Sequence, residues 1–121
     1  MAKVLVCDDE QVLRALVRAT LDDEEYSLAE AVDGDQSLAL ARSLQPDLIL
    51  LDMMMPGRSG LEILAELRGD PSFARTRIVM LTARTQVADR QAAADLGADR
   101  FLPKPFSPRK LVAAVEELLA P

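Results

Sequence analysis

Short apolar runs and amphipathic stretches alternate along the whole chain. Lys3–Cys7 is a short β-rich run, and Gln11–Leu21 places Leu13, Leu16, Val17 and Leu21 at helical spacing. Tyr26–Val32 reads as a weaker, mixed strand. Asp33 or Asp35 starts a helix that reaches Leu44, where Pro46 stops it. Leu48–Leu51 is apolar without alternation, as a strand covered on both faces must be. A turn-rich loop, Met54–Gly60, leads into an amphipathic stretch, Leu61–Arg68, which Gly69, Asp70 and Pro71 break. Ile78–Leu81 is another continuous apolar strand. An alanine-rich helix over Val87–Leu96 ends at Gly97, and Arg100–Leu102 is a short strand. Ser107 and Pro108 supply the cap and first turn of a last helix running to about Ala120, with Leu111, Val115, Leu118 and Leu119 turned inward.

Five strand–helix units with short connections predict an α/β fold, a doubly wound parallel five-stranded sheet with helices on both faces. Ligands of such a sheet bind at the carboxyl ends of the strands, beside the point where the strand order reverses. A length of 121 residues suits one domain, spanning 1–121, with one core.

The strand ends carry the chemistry. Asp8, Asp9 and Glu10 follow the first strand, Asp52 the third, Thr82 and Ala83 the fourth, and Pro103, Lys104, Pro105 and Phe106 the fifth. Three carboxylates brought to one sheet edge are costly without a cation: at an effective dielectric of ~20, two of them ~4 Å apart repel by about 4 kcal/mol. Oxygen ligands suit Mg2+, which also binds phosphate oxygens. An aspartate can act as nucleophile to form an acyl phosphate, while a lysine and a hydroxyl neutralise and orient the phosphoryl oxygens. Taken singly, Asp8 or Asp9 reads as a helix cap, Thr82 as an ordinary strand residue and Lys104 as a surface charge. Their shared position at one end of one sheet favours a site.

Composition narrows the options. The chain has no histidine, which removes Ser-His and Cys-His nucleophiles and histidine metal ligands; any phosphohistidine must belong to a partner. Net charge is −6, against a direct nucleic-acid surface. The single cysteine, Cys7, lies in an apolar strand and reads as a buried, inert thiol. Neither a signal peptide nor a membrane span is legible, so a cytoplasmic protein is expected.

The chain resembles the receiver domain of two-component response regulators, chemotaxis-regulator-like, over nearly its whole length. The matching motifs are Val6–Glu10 (VCDDE), Pro46–Gly57 (PDLILLDMMMPG), Met80–Ala83 (MLTA), Gly97–Asp99 (GAD) and Lys104–Phe106 (KPF). The resemblance implies a flavodoxin-like strand order, 2-1-3-4-5, and a phosphorylation-dependent signalling switch. Asp52 would accept a phosphoryl group from a histidine kinase or histidine phosphotransfer protein. Asp9 would be the main side-chain Mg2+ ligand, supported by Asp8, with Asp52 and the backbone carbonyl of Met54 completing the set. Thr82 would hydrogen-bond the phosphoryl group and Lys104 would pair with it. A cis peptide is implied between Lys104 and Pro105.

The resemblance further implies that Thr82 and an aromatic residue, here Phe101, carry the switch to an output face on the last two helices and fifth strand. Phe101 also reads as plain core. Phenylalanine stands where the family often has tyrosine, so packing alone would drive the switch. Met54 and Arg84 occupy the two positions that tune the lifetime of the phosphoryl group. Arg100, Lys110 and Ala114 depart from the charges with which regulators bearing a winged-helix DNA-binding domain pair, which disfavours that dimer. The expected output is a downstream protein target or a fused effector domain. Met1 suggests a native start, and no effector follows Pro121, which leaves a stand-alone receiver and a piece of a longer regulator both open.

Two other classes compete. A haloacid-dehalogenase-type phosphohydrolase needs a second aspartate two residues after the nucleophile, where this chain has Met54. A phosphorylation-independent interaction module has no need of the complete acid, threonine and lysine set. The expectation is a phospho-acceptor that is no enzyme beyond slow self-dephosphorylation.

Overall fold

The computed structural model describes residues 1–83 and 87–121. In chain order the elements are β1 (Ala2–Cys7), α1 (Gln11–Thr20), β2 (Tyr26–Ala31), α2 (Gly34–Leu44), β3 (Leu48–Asp52), α3 (Gly60–Arg68), a 3-10 turn (Pro71–Phe73), β4 (Arg77–Ala83), α4 (Val87–Leu96), β5 (Arg100–Lys104) and α5 (Pro108–Leu119). The strands form one sheet in the order β2-β1-β3-β4-β5, every pair parallel. This is the expected doubly wound α/β architecture.

The continuous apolar runs divide between two cores by the two-residue period of a strand. Leu5, Cys7, Ile49, Leu51, Ile78 and Met80 face α2, α3 and α4 through Leu38, Ile63, Leu64, Leu67 and Ala93. Val4, Val6, Leu48, Leu50, Val79 and Leu81 face α1 and α5 through Val17, Leu111 and Val115. Central strand β3 is buried at all five residues, whereas edge strand β2 is buried only at Ala31, which accounts for its mixed composition. Burying each such Leu or Ile is worth about 1.5–3 kcal/mol relative to exposure. Cys7 is fully buried, and burial pushes its thiol up to about 12, so it is the inert core residue expected.

Helix ends follow the sequence signals. The side chain of Asp33 accepts from Gln36 N–H, that of Ser59 from Glu62 N–H and that of Ser107 from Lys110 N–H. Of the two proposed starts of α2, Asp33 is the one used. Gly97, at φ 103, closes α4: its N–H donates to Ala94 O and that of Ala98 to Ala93 O.

Several boundaries differ from expectation: β1 starts at Ala2, α1 ends at Thr20, β3 takes in Asp52 and β4 starts at Arg77. β4 runs on through Thr82 and Ala83, and β5 through Pro103 and Lys104. The pairs Thr82↔Pro103 and Ala83↔Lys104 extend the ladder, and β5 lies at the sheet edge, where a residue lacking N–H is tolerated. α3 starts at Gly60 rather than Leu61, because Ser59 caps it. β2 stops at Ala31, one residue before Val32.

Candidate functional site

Register brings the acids together. Cys7 pairs with Leu51 across β1 and β3, so Asp8 stands level with Asp52 on the neighbouring strand. Asp8 is fully buried, Asp52 nearly so, and Asp9 is exposed. A carboxylate oxygen from each lies within 4.8 Å of the others. A cleft of about 310 Å³ opens over them, lined by Asp9, Glu10, Asp52, Met54, Ala83 and Lys104.

Lys104, at the end of edge strand β5, reaches across to this cluster. Its Nζ lies 2.8 Å from Asp8 Oδ2, 3.1 Å from Asp52 Oδ1 and 3.7 Å from Glu10 Oε1. Asp52 Oδ1 also accepts from Met54 N–H at 3.3 Å, and Asp8 Oδ1 accepts from Glu10 N–H at 2.8 Å. The latter bond is the only trace of a capping role for Asp8 among the described residues, since the cap of α1 is Glu10, with no side-chain bond of its own.

Charge is under-compensated. Burial, and then the Asp8 carboxylate, push the Asp52 carboxyl up to about 6, against the opposing pull of Lys104 and the Met54 N–H. Burial alone would lower the Lys104 ammonium, but its contacts with Asp8 and Asp52 outweigh burial and the net direction is upward. One ammonium thus serves two buried acids. The contact of Asp8 Oδ2 with Lys104 has the distance of an ion pair but not the alignment of a hydrogen bond, so an anionic lone pair stays open. Three convergent oxygen donors with surplus negative charge fit a hard divalent cation such as Mg2+.

The other residues named from sequence fall into place unevenly. Thr82 is fully buried, and its hydroxyl finds no hydrogen-bond partner among the described residues. Met54 is 64% exposed and stands at the rim of the cleft. Phe101, opposite Met80 in the sheet, is half-buried against the core beneath α2–α4. The peptide between Lys104 and Pro105 is cis. Arg84 lies outside the described residues. On the far side of the molecule Arg100 pairs with Glu117 of α5, and Ala114 is buried.

Sequence reasoning missed Gly60, and it placed Glu10 at the strand end without giving it a role. Gly60 packs against the peptide that carries the site: a Cβ there would stand 2.2 Å from Asp52 O and 2.9 Å from Met53 Cα, and its N–H donates to Met53 O at 2.9 Å. Its position eight residues past Asp52, at a helix start, was the available signal. Glu10, the third acid of the run 8–10, lines the cleft and approaches Lys104.

Comparison with known proteins matches residues 4–116 to the response regulator receiver domain family. The chain belongs to that family. Receiver domains of response regulators are signalling domains rather than enzymes in the usual sense. Among curated relatives of this receiver domain, the transcriptional regulatory protein ResD of Bacillus subtilis is 43% identical over 117 residues, covering 97% of this chain and 48% of that protein. The transcriptional regulatory protein CpxR of Klebsiella pneumoniae is 44% identical over 119 residues, covering 98% of this chain and 50% of that protein. The receiver chain therefore spans about half the length of these relatives. In structure it superposes on the chemotaxis response regulator CheY4 of Vibrio cholerae with a TM-score of 0.91 at 36% identity, covering 98% of this chain and 99% of that one. A crystal structure described as a putative response regulator from Chloroflexus aurantiacus gives 0.92 at 28% identity, with 99% and 98% covered. Among the described residues no helix is long and apolar enough to cross a membrane.

Proposed function

We propose that this receiver domain takes a phosphoryl group onto Asp52 from a phosphohistidine of a sensor kinase or phosphotransfer protein. The observation that carries this reading is the level placement of Asp8 and Asp52 with a single Lys104 ammonium between them. An Asp52 carboxylate oxygen attacks phosphorus, the P–N bond to the donor imidazole breaks, and the imidazole leaves with its electron pair and takes a proton. Asp8, Asp9, Asp52 and the carbonyl of Met54 would hold Mg2+, which offsets the charge gathered by three acids and a phosphoryl group. Lys104, already paired with Asp52, then neutralises a phosphoryl oxygen, and the unpartnered Thr82 hydroxyl donates to another.

Thr82 turning to the phosphoryl group vacates space into which Phe101 can pack. That movement biases the surface formed by α4, β5 and α5, where a downstream protein or a fused effector domain would read it. Effector fusion is the arrangement suggested by relatives of twice the length that are named as transcriptional regulators; nucleic-acid contact would then belong to the effector, not to this acidic chain. Met54 at the cleft rim, and Arg84, would shield the acyl phosphate from water, leaving slow self-dephosphorylation as the only hydrolysis.

Incubation with Mg2+ and phosphoramidate, followed by intact mass, tests the proposal. The native chain is expected to gain one phosphoryl group, and Asp52→Ala none. No gain in the native chain would favour an interaction module that works without phosphorylation.

A further inference from the structure

Ladder pairing of β1 with both neighbours ends at Cys7, so the carbonyl of Asp8 leaves the sheet without a strand partner. Arg14 of α1 takes that place. Its Nη1 donates to Asp8 O at 2.7 Å, and its Nε donates to Glu30 Oε1 of β2 at 3.0 Å. The other oxygen of Glu30 accepts from Arg18 Nε at 2.8 Å. The Arg14 side chain is only 13% exposed, whereas that of Arg18 is 53% exposed. Arg14 is thus a nearly buried fork held on one prong by a carboxylate and applied with the other to the backbone of the acidic turn.

The Asp8 carbonyl lies in the plane of the Asp8–Asp9 peptide, so holding its oxygen fixes the direction in which Asp9 leaves that peptide. Asp8 has other restraints: its N–H donates to Ala31 O, and its carboxylate is engaged by Glu10 N–H and Lys104. Asp9 is exposed, and its carboxylate has no partner among the described residues. We infer that Arg14 is a positioning residue for the cation site, aiming the Asp9 carboxylate by clamping the peptide that precedes it, with Glu30 as its anchor. This rests on the phospho-acceptor reading above, which supplies the role of Asp9. Outer-shell partners of this kind matter because a ligand held in place before binding loses less freedom on binding.

The test is calorimetric titration of the full chain with Mg2+, together with the phosphorylation rate from phosphoramidate at rising Mg2+. Arg14→Ala is expected to raise the Mg2+ Kd about 10-fold, while Arg18→Ala, which loosens Glu30 without touching Asp8, stays within about two-fold of native. Saturating Mg2+ restores the native rate in Arg14→Ala, since Asp52, Thr82 and Lys104 are untouched. An unchanged Kd in Arg14→Ala, an equal rise in Arg18→Ala, or a rate that saturating Mg2+ does not restore would each overturn the inference. If Arg14→Ala does not fold, Arg14→Lys, which keeps a donor but not the fork, is measured instead, and a Kd within two-fold of native overturns it, against an expected rise of about three-fold. A native chain that neither binds Mg2+ nor gains a phosphoryl group sinks the phospho-acceptor reading as well, whereas a competent native chain with an indifferent Arg14 sinks this inference alone.

Discussion

The ammonium of Lys104 stands 3.1 Å from Asp52 Oδ1, although 52 residues of chain separate them and β4 lies between their strands. The same ammonium is 2.8 Å from Asp8, so one positive charge is divided between two buried acids. Any cation entering the cleft competes with it for both.

Lys104→Met should therefore tighten Mg2+ binding. Removing one unit charge ~4 Å from a divalent cation is worth ~2 kcal/mol even at the dielectric of water, or about 30-fold in Kd. Calorimetric titration measures it. Weaker binding in Lys104→Met would mean that the ammonium organises the acids more than it competes for them.

The raised Asp52 carboxyl has a consequence for stability without metal. Its value moves from 3.8 to about 6 on folding, so between those pH values the folded chain binds more protons than the unfolded chain. Stability contributed by this group is present below about pH 4 and is lost as pH rises through 6. Asp52→Asn should raise the Tm in chelator at pH 7.5 by about 3–8 °C, for a gain of about 1–2 kcal/mol that allows for solvent screening in the open cleft. The gain should vanish near pH 3.5. Thermal melts at both pH values check it, and a gain of equal size at both would point to packing rather than charge.

Gly60→Ala should damage the site through the backbone. Its Cβ would meet Asp52 O at 2.2 Å, and because that atom is backbone, the strand end itself must shift. The expected cost is about 1–3 kcal/mol in stability, with slower phosphorylation at temperatures well below the Tm. Gly69→Ala is the control: φ there is −78 and the nearest atom is 3.4 Å away, so stability should hold or rise slightly.

At the opposite edge of the sheet, Arg68 ties α3 to the turn before β5. It donates to Gly97 O at 2.9 Å, to Phe73 O at 2.8 Å and to Asp99 Oδ2 at 2.8 Å. Arg68→Ala should cost about 2–4 kcal/mol, the scale of charged hydrogen bonds left unmade, while Mg2+ affinity stays native. Chemical denaturation and calorimetric titration together check the separation of stability from site.

Much of this was legible in the sequence because the signals are local. Leu48–Leu51 has no polar residue, and only a strand covered on both faces explains that. Asp8, Asp9 and Asp52 each end such a run, which is enough to place them at one sheet edge. Lys104 and Thr82 were likewise placed at that edge, but as residues beyond their strands; both lie inside them, because pairing in the edge ladder continues past the apolar run. Gly60 and Arg14 were not legible as site residues. What Gly60 does depends on how closely α3 approaches the Asp52 carbonyl, and what Arg14 does depends on where the β1 ladder stops; neither distance is written in composition or periodicity.

The central claim is that Asp52, and neither Asp8 nor Asp9, is the phosphoryl acceptor. Borohydride reduction of an aspartyl phosphate leaves homoserine at the modified position, which peptide mass mapping locates. After incubation with Mg2+ and phosphoramidate, homoserine is expected at residue 52 and nowhere else, and at no residue when Mg2+ is chelated. Homoserine at residue 8 or 9, or none at 52 under saturating Mg2+ and donor, would contradict it.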